Sequence, residues 1–217
     1  MAGDVRIEDH GVVAVVRLDD LSSVARITNA LIHGGVTAIE FTYTNPKAGE
    51  AISAARAIAS GSGVIGAGTV LDPETARAAI LAGAEYIVTP TFKRETVELC
   101  NRYGVATIVG AFTATEMLTA WEAGASYIKV HPASLGGPKY FKDILGPLPQ
   151  LKLIPSGGVT LENAVEYIRA GAVAVAMGAN LVNKKTVQTE GWDELTSRAR
   201  GLSSAVKAAQ VERLTSG

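Results

Sequence analysis

The strongest constraint on this chain is a recurring block: a glycine, a small residue, then a short run of β-branched and apolar side chains. It reads HGGVTAIEF at 33–41, AGAEYIVTP at 82–90, RYGVATIVG at 102–110, AGASYIKVH at 123–131 and AGAVAVAMG at 170–178. A glycine just past a helix relieves the left-handed backbone that closes it. An apolar run of this length suits a strand covered on both faces. Amphipathic stretches lie between the blocks, among them ETARAAILAG (74–83), ETVELCNRYG (95–104), ATEMLTAWEAG (114–124) and LENAVEYIRAG (161–171). Eight strands are expected, at 12–17, 37–42, 63–68, 85–89, 105–109, 126–131, 151–155 and 173–177, each followed by a helix. The last helix should run from about Trp192 to Arg213, and the first ten residues form a candidate lid helix. Eightfold alternation predicts a closed (β/α)8 TIM barrel. The competing open, doubly wound sheet would have edge strands, and no strand here reads as an amphipathic edge. No Pro/Gly/Ser linker or charge run divides the sequence, so one domain over residues 1–217 is expected.

Composition narrows the function classes. Apolar residues make up 47% and charged residues 19%, which supplies a core and argues against disorder. Twenty basic and 21 acidic side chains nearly cancel, so no broad field for nucleic acid or an acidic membrane is expected. Cys100 is the single cysteine and the three histidines, His10, His33 and His131, are far apart, so neither a disulfide framework nor a metal site is expected. Asp4, Arg6, Glu8 and Asp9 stand where a secretory apolar core would form, and no run approaches the ~18 apolar residues of a membrane span. A cytoplasmic protein is the expectation. Cys100 reads as a small core residue, His33 as a helix-end group, and Met117 with Trp121 as helix packing.

In such a barrel, chemistry sits at the C-terminal ends of the strands. Side chains alternate along a strand. In SYIKVHP, Ile128 and Val130 should meet the helices, leaving Tyr127, Lys129 and His131 to the interior. In TAIEFT, Ala38, Glu40 and Thr42 point inward. Strand 1 ends in Arg17 and strand 3 in Thr69. A lysine inside an apolar barrel is unusual. One reading is a structural Lys129–Glu40 ion pair. The other is a lysine whose ammonium is disfavoured by burial and a nearby cation, leaving a neutral amine to attack a carbonyl and form a Schiff base, with Glu40 moving protons. Two glycine segments, IPSGGVT (154–160) and MGANL (177–181), follow strands 7 and 8, where these barrels commonly bind phosphate.

Several motifs taken together resemble a known family. They are IEFT around Glu40, GAGTVLDPE at 67–74, VTP at 88–90, IKVHPAS at 128–134, GPLPQLKLIPSGGV at 146–159 and MGAN at 177–180. Their order and spacing resemble the class I 2-keto-3-deoxy-6-phosphogluconate / 4-hydroxy-2-oxoglutarate aldolases over nearly the whole chain. The resemblance implies Lys129 as the Schiff-base lysine and Glu40 as general acid/base. It implies Arg17 and Thr69 at the pyruvate carboxylate, with Pro90 and His131 lining the pocket. It places Ser156, Gly157, Gly158, Gly178 and Asn180 at the phosphate. It implies no cofactor, a small keto acid as partner and a homotrimer. The sequence departs from the family pattern at four positions. Thr44 stands where an arginine is common, His131 where phenylalanine is common, Asn180 replaces a common serine, and Ser156 a common threonine. These bear on the aldehyde half of the substrate. The phosphogalactonate epimer and unphosphorylated 4-hydroxy-2-oxoglutarate therefore stay open as substrates. His131 either hydrogen-bonds the substrate or fills space, and Phe92 either closes the pocket or packs. A phosphate-binding barrel of other chemistry, such as an epimerase, or a non-catalytic phosphate binder are the readings outside this activity.

Overall fold

The computed structural model describes residues 5–215. Eight parallel strands run β1 (Val12–Val16), β2 (Ala38–Thr42), β3 (Val64–Gly68), β4 (Tyr86–Val88), β5 (Ala106–Ala111), β6 (Tyr127–Val130), β7 (Leu153–Pro155) and β8 (Val175–Met177). Neighbours pair in sequence order, β8 returns to β1, and a parallel bridge between Ser156 and Ala176 joins the remaining two edges. The sheet is therefore the closed (β/α)8 barrel that the repeat predicts. All eight strands fall where expected; seven are trimmed by one or two residues at their ends, and β5 runs on to Ala111. Among the described residues the α-helices are α1 (Ile7–His10), α2 (Val24–His33), α3 (Ala48–Ala59), α4 (Pro73–Leu81), α5 (Arg94–Arg102), α6 (Ala114–Glu122), α7 (Gly137–Leu145), α8 (Ala164–Arg169), α9 (Lys184–Gln188) and α10 (Trp192–Thr215), with a 3-10 turn over Ala133–Leu135.

Local chemistry starts and stops these helices. Asp72 caps α4 by accepting from the Thr75 N–H at 2.6 Å, with Pro73 in the first turn, where its missing N–H costs nothing. Thr113 and Glu116 form a reciprocal capping box at α6. The repeated glycine closes helices as expected, with φ of 102° at Gly83 and 108° at Gly171.

Strand alternation sorts the apolar residues into two layers. Ile39, Phe41, Ile128 and Val130 face the helices. Val13, Val15, Ala38, Tyr86, Val88, Ile108, Tyr127 and Ile154 fill the barrel interior. Ile7 joins this inner layer and is fully buried. Its N–H donates to the Tyr127 hydroxyl, which in turn donates to Glu8, and Lys152 pairs with Glu8 at 2.9 Å. The single turn α1 thus plugs the barrel at the N-terminal ends of the strands. The lid expected over residues 1–10 covers the end away from the active-site mouth, and its residues 1–4 lie outside the described residues. Burying Ile7 contributes about 2–3 kcal/mol by transfer of its apolar surface. Cys100 is fully buried, as expected, and burial pushes its thiol up to about 12. Met117 is buried too, but Trp121 is exposed, so the pair does not pack into the core as a unit.

Candidate active site

A cavity of about 520 Å³ opens at the C-terminal ends of the strands. Arg17, Thr44, Thr69, Pro90, Lys129, His131, Ser156, Gly157, Gly158, Gly178 and Asn180 all line it. Glu40 is buried just beneath, 1% exposed. The structure thus brings the resemblance's site residues to one mouth, with Glu40 below the lining rather than in it, while Phe92 lies outside the cavity. Val15, Val159, Ala176 and Ala179 complete the wall and were not anticipated. The same alternation that turns Arg17 inward also turns Val15 inward, so strand 1 carried that signal. A larger groove of about 860 Å³ lies beside the mouth, between the loops after β1 and β2. It shares Arg17 and Thr44 but lacks Lys129, His131 and the glycines after β7 and β8, so the smaller cavity is the candidate site.

Lys129 is held by apolar neighbours along β6 and is only 5% exposed. Burial is the main cause that lowers its pKa; Glu40 opposes this and Arg17 adds to it. Burial raises the Glu40 pKa, against the pull of Lys129 and then Arg17. The two charges are coupled, yet among the described residues no carboxylate forms an ion pair with Lys129. A structural ion pair is therefore not what keeps this lysine inside the barrel. Desolvation pushes each group toward its neutral form, the condition under which an amine is nucleophilic and a carboxyl can exchange protons near neutral pH.

Room for the Glu40 carboxylate comes from β3. A Cβ built on Gly68 would lie 2.7 Å from Glu40 Oε1 and 2.9 Å from its Cδ. The next residue, Thr69, adopts φ 56°, an outlier for a β-branched side chain. That conformation is the one in which its hydroxyl accepts from Arg17 Nη2 at 3.3 Å. Arg17 and Thr69 thus form one polar edge of the mouth. Thr44, on the loop after β2, shares a 2.8 Å hydrogen bond with Thr42.

The opposite edge is built by the loops after β7 and β8. Gly157 and Gly158 have φ of 83° and 79°. Their lack of a side chain is also a packing requirement, since a Cβ on Gly157 would lie 3.0 Å from His131 Nδ1 and one on Gly158 would lie 2.5 Å from Ser134 Cβ. Gly178 is different: its Cβ would meet only Val15, at 3.8 Å, an ordinary contact. Asn180 donates its amide to the Val159 carbonyl at 2.7 Å, tying the two loops together. His131 gains a partner that sequence could not supply, the Ser156 carbonyl at 3.2 Å from Nδ1. A carbonyl only accepts, so Nδ1 carries the proton and Nε2 is the nitrogen left to the cavity. Partial burial, then the Lys129 charge, lower the His131 pKa, which disfavours the charged ring. Phe92 is half-buried and packs against the outer core.

Comparison with known proteins agrees with this geometry. The family model for KDPG and KHG aldolases matches residues 4–198. A 2-dehydro-3-deoxy-phosphogluconate aldolase from Treponema pallidum is 34% identical over 192 residues, covering 88% of this chain and 91% of that protein. A 2-dehydro-3-deoxy-6-phosphogalactonate aldolase from Escherichia coli is 37% identical over 153 residues, 70% of this chain and 75% of its own. A KDPG aldolase from Legionella pneumophila, solved with pyruvate captured as a covalent carbinolamine, superposes with a TM-score of 0.84 at 25% identity, over 91% of this chain and 98% of its own. With the family model spanning nearly the whole chain and relatives above 30% identity beside it, this chain belongs to the KDPG and KHG aldolase family.

Proposed function

We propose that this protein cleaves 2-dehydro-3-deoxy-6-phosphogluconate to pyruvate and glyceraldehyde 3-phosphate, with Lys129 as nucleophile and Glu40 as proton carrier. The observation that carries this reading is the desolvated, unpaired Lys129 amine facing the cavity. Lys129 Nζ attacks the C2 ketone, and loss of water leaves an iminium. The iminium accepts the electron pair of the C3–C4 bond as Glu40, directly or through water, takes the proton from the C4 hydroxyl. The aldehyde departs and an enamine of pyruvate remains. Protonation at C3 and hydrolysis release pyruvate and restore the amine. Arg17 and Thr69 hold the carboxylate, Pro90 walls the pocket, and Thr44 and His131 meet the aldehyde half. Ser156, Gly157, Gly158, Gly178 and the Asn180 loop receive the phosphate, at the barrel position where anions commonly bind.

The phosphogalactonate epimer is the second substrate reading. It is favoured by the 37% identical relative named for that substrate and by Thr44 and His131 at the aldehyde half. The ratio of kcat/KM for the two epimers decides between them. The chain acts as one barrel domain over 1–217 and as a homotrimer; the exposed Leu71, Leu81 and Tyr103 supply apolar surface for a subunit contact, and sedimentation tests it. Our reading puts the enzyme in the cytoplasm, the compartment that fits a phosphorylated sugar acid as substrate. Among the described residues no helix is long and apolar enough to cross a membrane.

Borohydride with pyruvate tests the chemistry. One reduced adduct per chain, mapped to Lys129 and lost in Lys129→Arg together with cleavage, is the expected result. Arginine keeps the charge but is a poor nucleophile. No adduct, or a label on Lys139 or Lys152, overturns the assignment.

A further inference from the structure

Two oxygens buried in the barrel interior have no hydrogen-bond partner among the described residues, Glu40 Oε2 and the Tyr86 hydroxyl. Register places their residues in one row. Glu40 is paired with Gly66 across β2 and β3, and Gly66 with Tyr86 across β3 and β4. The middle position has no side chain, and the Tyr86 ring occupies its space. A Cβ on Gly66 would fall inside van der Waals contact of Tyr86 Cε2 and Cζ. Cζ bears the hydroxyl, so the polar end of the phenol reaches across β3 toward β2. The Glu40 carboxylate reaches the same strand from the other side, against Gly68. Tyr86 is fully buried and Glu40 nearly so. Burial, then the Glu40 charge, push the phenol well above its ordinary range, so Tyr86 is a donor and not an anion.

We propose that Tyr86 is a positioning residue for Glu40, its hydroxyl donating through one buried water to Oε2 and holding the carboxylate in its reactive place. The inference rests on the aldolase reading above. Leaving two polar atoms dry and unpaired in an apolar interior is costly, and a water with two such partners removes that cost. A hydrogen bond to the charged form also stabilises the carboxylate against burial. The charged and titratable groups that face Glu40 are Lys129 from β6, Arg17 at the end of β1 and Tyr86 from β4. Glu85 also acts on Tyr86, but its carboxylate accepts from the Ile65 N–H at 3.0 Å and pairs with Arg56 at 3.2 Å.

Tyr86→Phe keeps the ring that fills the gap over Gly66 and removes only the donor. Without it the Glu40 pKa rises further. The acid limb of kcat/KM for cleavage should then move up by about one pH unit, a tenfold loss on that limb that closes at higher pH. Borohydride trapping of pyruvate on Lys129 should persist. In a Glu40→Gln background, which has no carboxylate to titrate, adding Tyr86→Phe should leave the residual rate within about twofold. Superposable profiles for wild type and Tyr86→Phe, a uniform loss at every pH, or a further loss in the Glu40→Gln background each overturn the inference while the aldolase reading stands. A wild-type protein that neither traps pyruvate nor cleaves substrate overturns both.

Discussion

Gly66 and Gly68 are two residues apart on one strand, and alanine at each should fail in a different way. At Gly68 the backbone is ordinary strand, so alanine adds no conformational strain. Its Cβ would meet Glu40 Oε1 at 2.7 Å, Glu40 Cδ at 2.9 Å and Thr42 Cγ2 at 3.1 Å. Restoring an ordinary contact of about 3.4 Å moves the carboxylate oxygen by about 0.7 Å. The end of a glutamate swings readily, so the fold tolerates the change. A misplacement near 1 Å at a reacting group costs roughly 100-fold in rate. Gly68→Ala should therefore lower kcat for cleavage by one to two orders of magnitude (~10–100-fold). The melting temperature should change by only a few degrees, and pyruvate trapping on Lys129 should survive. At Gly66 the neighbour is the rigid, fully buried Tyr86 ring, which has nowhere to go. Overpacking of that kind costs about 1–3 kcal/mol, and at about 2–4 °C per kcal/mol for this chain length Gly66→Ala should lower Tm by roughly 2–12 °C. The assays are thermal melts, steady-state cleavage coupled to pyruvate detection, and intact mass after borohydride. Wild-type kcat in Gly68→Ala, or loss of trapping in step with cleavage, would refute the placement of Glu40 as the proton carrier beside an independently competent lysine.

Other outcomes follow from the same geometry. Gly178→Asp has space, since its Cβ meets only Val15 at 3.8 Å, so the fold should hold; the carboxylate should raise KM for a phosphorylated substrate about tenfold or more and barely change KM for 4-hydroxy-2-oxoglutarate. Equal effects on both substrates place the phosphate elsewhere. His131→Phe removes the imidazole Nε2 from the pocket and should alter the ratio of kcat/KM between the gluconate and galactonate epimers, with pyruvate trapping intact; an unchanged ratio makes His131 a space filler. Cys100, with its thiol pushed up to about 12 and its side chain buried, should resist iodoacetamide at pH 8 until the chain unfolds; rapid labelling of the native protein contradicts that burial.

Much of this architecture is legible in the sequence, because the signals are local. Helix-closing glycines and apolar runs recur often enough to count eight strands, and a period of two along SYIKVHP and TAIEFT turns Lys129, His131 and Glu40 inward whatever the strands pair with. Lys129, Arg17, Thr69, His131 and the phosphate-loop residues line one cavity because strand ends in a closed barrel converge on one mouth. The one-turn α1 was visible as a cap but not as a plug for the far end. That depends on Ile7 fitting between Tyr127 and the inner apolar layer, a contact about 120 residues apart in sequence.

Register and backbone angles across the barrel were decided only by the tertiary structure. Nothing in AEYIVTP says that Tyr86 lies level with Glu40, because the row through Gly66 exists only once β2, β3 and β4 pair with a particular offset. The positive φ of Thr69, the Ser156 carbonyl that sets the His131 tautomer, and the missing ion pair at Lys129 belong to the same class. Side-chain direction repeats every two residues and is written into the sequence; the stagger that closes eight strands into a barrel is a collective property of all of them.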